Sequence, residues 1–124
     1  MIGVAKRHGL PLILHTRKRE ARTFEMLQEH GVEKAVFHCY SGKVKLAKRI
    51  AEYEAGQYYI SIPSAVHRIE SFQNLAKQVP LERLLTETDA PYMGPIKGER
   101  NEPATVATHG VAAIAAARGM DESA

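Results

Sequence analysis

Pro11–His38 reads PLILHTRKREARTFEMLQEHGVEKAVFH. It opens on an apolar run ending in a histidine, Leu12-Ile13-Leu14-His15, and closes on a second one, Ala35-Val36-Phe37-His38. Between the two, Ala21, Phe24 and Leu27 fall at helical spacing, and Gly31 stands where a helix C-terminal cap belongs. A strand, a helix and a second strand make one parallel β/α unit, and runs with so little polar alternation suit strands covered on both faces.

The same grammar extends along the chain. A third run, Tyr58-Tyr59-Ile60-Ser61-Ile62, and a fourth, Leu84 to Asp89 before Pro91, complete four units. Equivalent positions fall 23 residues apart at His15, His38 and Ser61. Val44, Ala47, Ile50 and Ala51 form one apolar helix face, with Lys43, Lys45 and Lys48 largely off it and Gly56 as its expected end. Phe72, Leu75, Ala76 and Val79 form another, stopped by Pro80. A last helix is expected from about Pro103 through Val106, Val111 and Ile114 to Gly119, and Ile2 to His8 reads as the end of a helix. Four such units fit either a small open parallel sheet or half of a (β/α)8 barrel, which takes roughly 250 residues.

Composition narrows the class. Of 124 residues 44% are hydrophobic and 25% charged, which excludes disorder, and the single Cys excludes a disulfide scaffold. One unpaired thiol suits a reducing compartment, so the cytoplasm is the expected location. No apolar run reaches the roughly 20 residues of a membrane span, so no membrane partner is expected. A net charge of +3 permits a polyanionic partner without requiring one.

Catalytic groups in parallel α/β folds gather at the carboxyl ends of strands, and His15, His38 and Asp89 each end an apolar run. Two imidazoles and a carboxylate suit a divalent metal ion, which activates water for hydrolysis. A hydrogen-bonded structural histidine occupies the same kind of position, and both readings stand on the pattern alone. His8 and His30 near helix ends, and His67 and His109, read as surface residues, although His67 could line the same mouth. Cys39 reads as a small packed residue with no redox role. Ser41-Gly42 serves either as a phosphate-binding helix start or as a cap with a tight turn. Arg17, Lys18 and Arg19 make either a phosphodiester contact or a solvated helix start.

Four segments resemble the TatD family of metal-dependent deoxyribonucleases, within the amidohydrolase-like barrels. They are Leu12 to Arg17, Phe37-His38-Cys39-Tyr40-Ser41-Gly42, Glu87-Thr88-Asp89-Ala90-Pro91-Tyr92, and Arg100-Asn101-Glu102-Pro103, in family order and covering essentially the whole chain. The resemblance implies an α/β fold in which residues 1–124 form a single partial domain, strands five to eight of a (β/α)8 TIM barrel. It implies hydrolysis of DNA phosphodiester bonds at a two-metal site holding Zn²⁺, Mg²⁺ or Mn²⁺. By resemblance His15 and His38 are ligands of one metal, and Asp89 contacts the other and orients or deprotonates water. Glu87 is a supporting residue. Arg17, Ser41 and Tyr92 match the substrate mouth, with phosphate contact as their suggested role, and Arg100, Asn101 and Glu102 tie their loop to the barrel.

The family's His-x-His pair and bridging Glu have no counterpart here, and no His-x-His occurs anywhere in the sequence. The chain is therefore expected to supply only part of the site, with little metal affinity or activity alone. The alternative is a non-catalytic half-barrel or assembly module. Open strand edges and an uncovered interior lead to the further expectation of a homo-oligomer.

Overall fold

The computed structural model describes residues 1–123. In chain order it contains α1 (Ile2–His8), β1 (Leu12–His15), α2 (Glu20–Glu29), β2 (Lys34–His38), α3 (Val44–Ala51), β3 (Gln57–Pro63), α4 (Glu70–Gln78), β4 (Leu84–Glu87) and α5 (Val111–Arg118). Short 3₁₀ turns at Ser64–His67 and Leu81–Arg83 follow β3 and precede β4, and a π-helical turn at Val106–Gly110 leads into α5. The four strands are parallel and lie in chain order, β1-β2-β3-β4, as in one half of a (β/α)8 barrel.

Period-two alternation sorts each strand into a covered and an open side. Leu12, Ala35, Phe37, Tyr58, Ile60 and Ile62 are buried in one core with the helix residues Phe24, Leu27, Ile50 and Leu75. On the other side the register aligns Ile13 with Val36, Val36 with Tyr59, and Ser61 with Leu85. That face is open: Ile13 is 75% exposed and Leu85 40%. The strands were expected to be covered on both faces. Here the helices pack on one side, and on the other Ile13 and Leu85 stand exposed while Ser61 is buried and Arg83 lies over the Tyr59 ring at 5.3 Å.

Inside the core, Tyr53 stacks on Tyr58 at 5.3 Å and Phe24 meets Tyr58 edge-on at 6.1 Å. The Tyr58 hydroxyl donates to the Val32 carbonyl at 2.7 Å, so this buried polar atom is satisfied. Arg118 on α5 donates to the Ala76 and Val79 carbonyls, each at 2.7 Å, closing the otherwise unpaired C-terminal end of α4.

Several local expectations are corrected. Gly56 does not end α3, which stops at Ala51 with Glu52 as its cap. A Cβ at Gly56 would lie 2.8 Å from the Tyr58 ring, so the glycine there makes room for an aromatic. The last helix begins beyond Pro103: regular α-helix starts at Val111, after the π turn that brings Gly110 against Ser64. The fourth strand ends at Glu87, so Asp89 lies in the following loop. Ala21 is exposed while its neighbour Glu20 is buried. His109 is half-buried, edge-on to the exposed His67 at 5.3 Å.

The segment after β4 is held by one buried side chain. Asn101 donates to Thr88 Oγ1 at 2.9 Å and to the Tyr92 carbonyl at 2.8 Å, and it accepts the Glu102 N–H at 3.0 Å. Asn101→Ala removes the bonds of a buried amide to partners that are half-buried or exposed, so a loss of about 1 to 2 kcal/mol is expected, read from the urea midpoint of unfolding. An unchanged midpoint would show that water replaces the amide without cost.

Candidate metal centre

β2 and β4 end on the same rim of the sheet, and the loop after β4 turns back over it. His38 is thereby set between two carboxylates. Its Nδ1 lies 2.7 Å from Glu87 Oε2 and its Nε2 lies 2.9 Å from Asp89 Oδ1. The ligand-capable atoms of His38, Glu87 and Asp89 all lie within 4.8 Å of one another. Glu87 is the more buried carboxylate, its side chain 11% exposed against 31% for Asp89.

Glu87 is anchored from β2 and β3. The Cys39 N–H donates to Glu87 Oε2 at 3.1 Å, and the Ser61 hydroxyl donates to the same oxygen. Cys39 reaches this position with a left-handed φ of 46°, which turns its amide toward the strand ends. Burial raises the Glu87 carboxyl above its usual range, partly offset by the Cys39 N–H and His38, while the nearby Asp89 charge raises it further. Burial, followed by the Glu87 and Asp89 charges, pushes the Cys39 thiol up to about 12. An inert thiol results, since the thiolate is the reactive form.

Two observations test whether a cation fits here. A neutral imidazole has one N–H, yet both ring nitrogens of His38 face carboxylate oxygens, so a second proton or a cation is needed to reconcile both contacts. Glu87 Oε1 is also buried without a hydrogen-bond partner. An orphaned carboxylate oxygen beside one nitrogen and one further oxygen donor suits a divalent ion.

The other expected residues fall around this group. His15 is aligned with His38 across the β1–β2 register, with ring centroids 6.2 Å apart, but it is outside the three-residue group. The set formed here thus contains Glu87 where the resemblance gives His15. Arg17 and Ser41 are exposed on the loops after β1 and β2. Tyr92 is largely exposed, and its backbone N–H donates to the Asp89 carbonyl at 2.7 Å. Two contributors were missed by sequence reading. Ser61 sits on the 23-residue period that marks His15 and His38, which was a usable signal. The backbone amide of Cys39 carries no sequence signal.

Gly42, read as a tight turn, is required for space. A Cβ there would lie 2.6 Å from the Tyr40 hydroxyl and 2.8 Å from Cζ of the same ring. Tyr40 is fully buried and its hydroxyl donates to the Lys43 carbonyl at 2.8 Å, so the ring cannot yield freely. Gly42→Ala is expected to cost about 1 to 3 kcal/mol in denaturant unfolding. A neutral effect would mean that the loop relaxes away from Tyr40.

Fold and site together define a parallel α/β half-barrel with a candidate metal-binding group, His38, Glu87 and Asp89, at the carboxyl end of its sheet. The profile of the TatD related DNase family matches residues 1–124, and the chain belongs to the TatD family. It is 41% identical over 102 residues to human "Deoxyribonuclease TATDN3", covering 82% of this chain and 36% of that protein. It is 38% identical over 105 residues to "Uncharacterized metal-dependent hydrolase MJ1582" of Methanocaldococcus jannaschii, covering 85% and 40%. The crystal structure of the Escherichia coli TatD homolog YjjV superposes with a TM-score of 0.84 at 28% identity, covering 98% of this chain and 48% of that one. The chain thus spans less than half the length of these relatives, and its fold is the C-terminal half of a (β/α)8 barrel.

Proposed function

We propose that residues 1–124 form a single partial domain, corresponding to barrel strands five to eight, of a metal-dependent hydrolase that cleaves phosphodiester bonds in DNA. The observation that carries this reading is His38 held between Glu87 and Asp89, with Glu87 Oε1 buried and unpartnered. The names of the relatives, a deoxyribonuclease and a metal-dependent hydrolase, point the same way.

His38, Glu87 and Asp89 would hold the ion, with His15 completing the set from β1. When bound, Zn²⁺, Mg²⁺ or Mn²⁺ supplies Lewis acidity to the scissile phosphate and activates water. Glu87, clamped by Cys39 N–H and Ser61, holds its ligand position rigidly. Asp89 is the carboxylate that solvent reaches, and it orients water and accepts its proton. Arg17, Ser41 and Tyr92 contact substrate from the surrounding loops. Together with further ligands from outside this chain, these residues would belong to the two-metal site that the resemblance implies. A free Cys39 thiol suits a reducing compartment such as the cytoplasm. Among the described residues no helix is long and apolar enough to cross a membrane.

A second reading rests on the open inward face. Ile13 and Leu85 are exposed where a closed barrel would cover them, which fits a non-catalytic half-barrel that pairs with a second copy.

Plasmid nicking with each metal tests the proposal, on this chain and on a fusion placing it behind the amino-terminal half of a TatD relative. The fusion is expected to nick only with metal and to lose activity in Asp89→Ala. A folded, metal-loaded fusion that cleaves nothing would overturn the hydrolase reading in favour of the second.

A further inference from the structure

We propose that His67 and His109 form a metal clip, a two-imidazole site for Zn²⁺ or a similar borderline dication that pins the turn after β3 to the turn leading into α5. The clip uses no residue of the strand-end group and does not depend on the hydrolase reading. His67 ends the 3₁₀ turn Ser64–His67, and His109 lies in the π-helical turn Val106–Gly110. Their rings meet with centroids 5.3 Å apart and planes at 85°. The two turns are themselves locked together. The Ser64 and Thr105 hydroxyls are 2.9 Å apart, Ser64 is buried, and a Cβ at Gly110 would lie 3.5 Å from the Ser64 Cα. From α4 the Gln73 amide donates to the Val66 carbonyl at 3.0 Å, which holds the backbone just before His67.

The spacing of the rings fits a shared ion. An ion about 2.0 to 2.1 Å from one nitrogen of each ring lies about 3.2 Å from each ring centre, so tetrahedral ligation sets the centres about 5.2 Å apart. The observed 5.3 Å matches. Edge-on aromatic packing also gives centroid distances of this size, but it needs no particular ring nitrogen to be free. The Thr108 hydroxyl decides which nitrogen is free on His109. Its one proton is donated to the Ala104 carbonyl at 3.2 Å, so toward His109 Nδ1, 2.8 Å away, the oxygen can only accept. His109 therefore carries its proton on Nδ1 and presents the Nε2 lone pair. A metal-ligating histidine is arranged in this way, with its other ring nitrogen held by a neighbouring oxygen.

His67 is exposed, so its ring is free to turn a nitrogen toward the same point. Among the described residues no third His, Cys, Asp or Glu completes the set, and water or an outside donor fills the remaining positions. Imidazole donors suit Zn²⁺, Cu²⁺ and Ni²⁺, whereas Mg²⁺ and Ca²⁺ seek oxygen. An ion bound only by the folded arrangement of the two turns stabilises that arrangement.

The test is a calorimetric Zn²⁺ titration of the His38→Ala variant, in which the strand-end group lacks its nitrogen. A single ion per chain is expected to bind and to raise the urea midpoint, and Mg²⁺ should do neither. Adding His67→Gln or His109→Gln should weaken uptake about 100-fold or more, because two ligands on one ion act as a bivalent pair. The two substitutions together should weaken it little further than either alone, since one lost ring already breaks the clip. Thr108→Ala, which removes only the group that orients the ring, should weaken it about tenfold. His30→Gln, at another exposed imidazole, should change nothing. His67 and Thr108 are both exposed, so their variants should retain the parent circular dichroism spectrum and report on the ion rather than on folding. Absence of Zn²⁺ uptake by His38→Ala, or uptake that His67→Gln leaves unaltered, would overturn the clip. Either result leaves the strand-end group untouched, because that group is read from the difference between the intact chain and His38→Ala.

Discussion

His38→Ala is expected to abolish measurable metal uptake by the strand-end group, lowering affinity by about 100-fold or more in calorimetric or Co²⁺ absorption titrations. The size of the effect follows from the position of the ring. His38 supplies the only nitrogen in the group and separates Glu87 from Asp89, with 2.7 Å on one side and 2.9 Å on the other. Without the ring the two carboxylates repel each other across the gap, and the Glu87 carboxyl, already raised by burial, loses the partner that partly offsets this. His15→Ala makes the discriminating companion. A comparable loss would place His15 among the ligands, as the resemblance implies. A change of only a few-fold would confine the ligand set to the three residues the structure groups. Unaltered titrations of His38→Ala would move the metal elsewhere.

Phe37→Ala is expected to destabilise the chain by about 3 to 5 kcal/mol, a large part of the roughly 5 to 15 kcal/mol that holds a domain folded. Phe37 is fully buried on the helix side of β2, edge-on to Tyr40 at 6.3 Å, in a core too closely packed to refill the space. Urea unfolding should show a lower midpoint with the slope unchanged. Ile13→Ser, on the adjacent strand and equally apolar in sequence, should cost no more than about 0.5 kcal/mol because that side chain is already in water. A large cost for Ile13→Ser that grows with protein concentration would show the open face buried against a second copy, which is the expected homo-oligomer.

These two residues show how far the sequence could be read. Ile13 and Phe37 both sit in short apolar runs, and the runs located all four strands to within a residue or two. Apolar character alone does not say which face of a strand meets the helices. Helix ends were legible where a glycine adopts a left-handed cap, as at Gly31 and Gly119, with φ of 61° and 64°. They were misread at Gly56, where the glycine serves a ring packed against it from β3. Glu87 was legible as a neighbour of Asp89, but its place in the three-residue group depends on contacts from the end of β2 and from β3.

The sequence by itself determined the order of the elements, the parallel β/α class, and the placement of His15 and His38 at strand ends, because local periodicity and chain breakers act over a few residues. Only the tertiary structure decided that His38 meets Glu87 and Asp89, that Ser61 and the Cys39 amide clamp Glu87, and that one sheet face stays open. Cys39 and Glu87 are 48 residues apart, and their meeting depends on the register and twist of three strands packed on their helices. That register is set by the summed burial of the core, and no single segment encodes it.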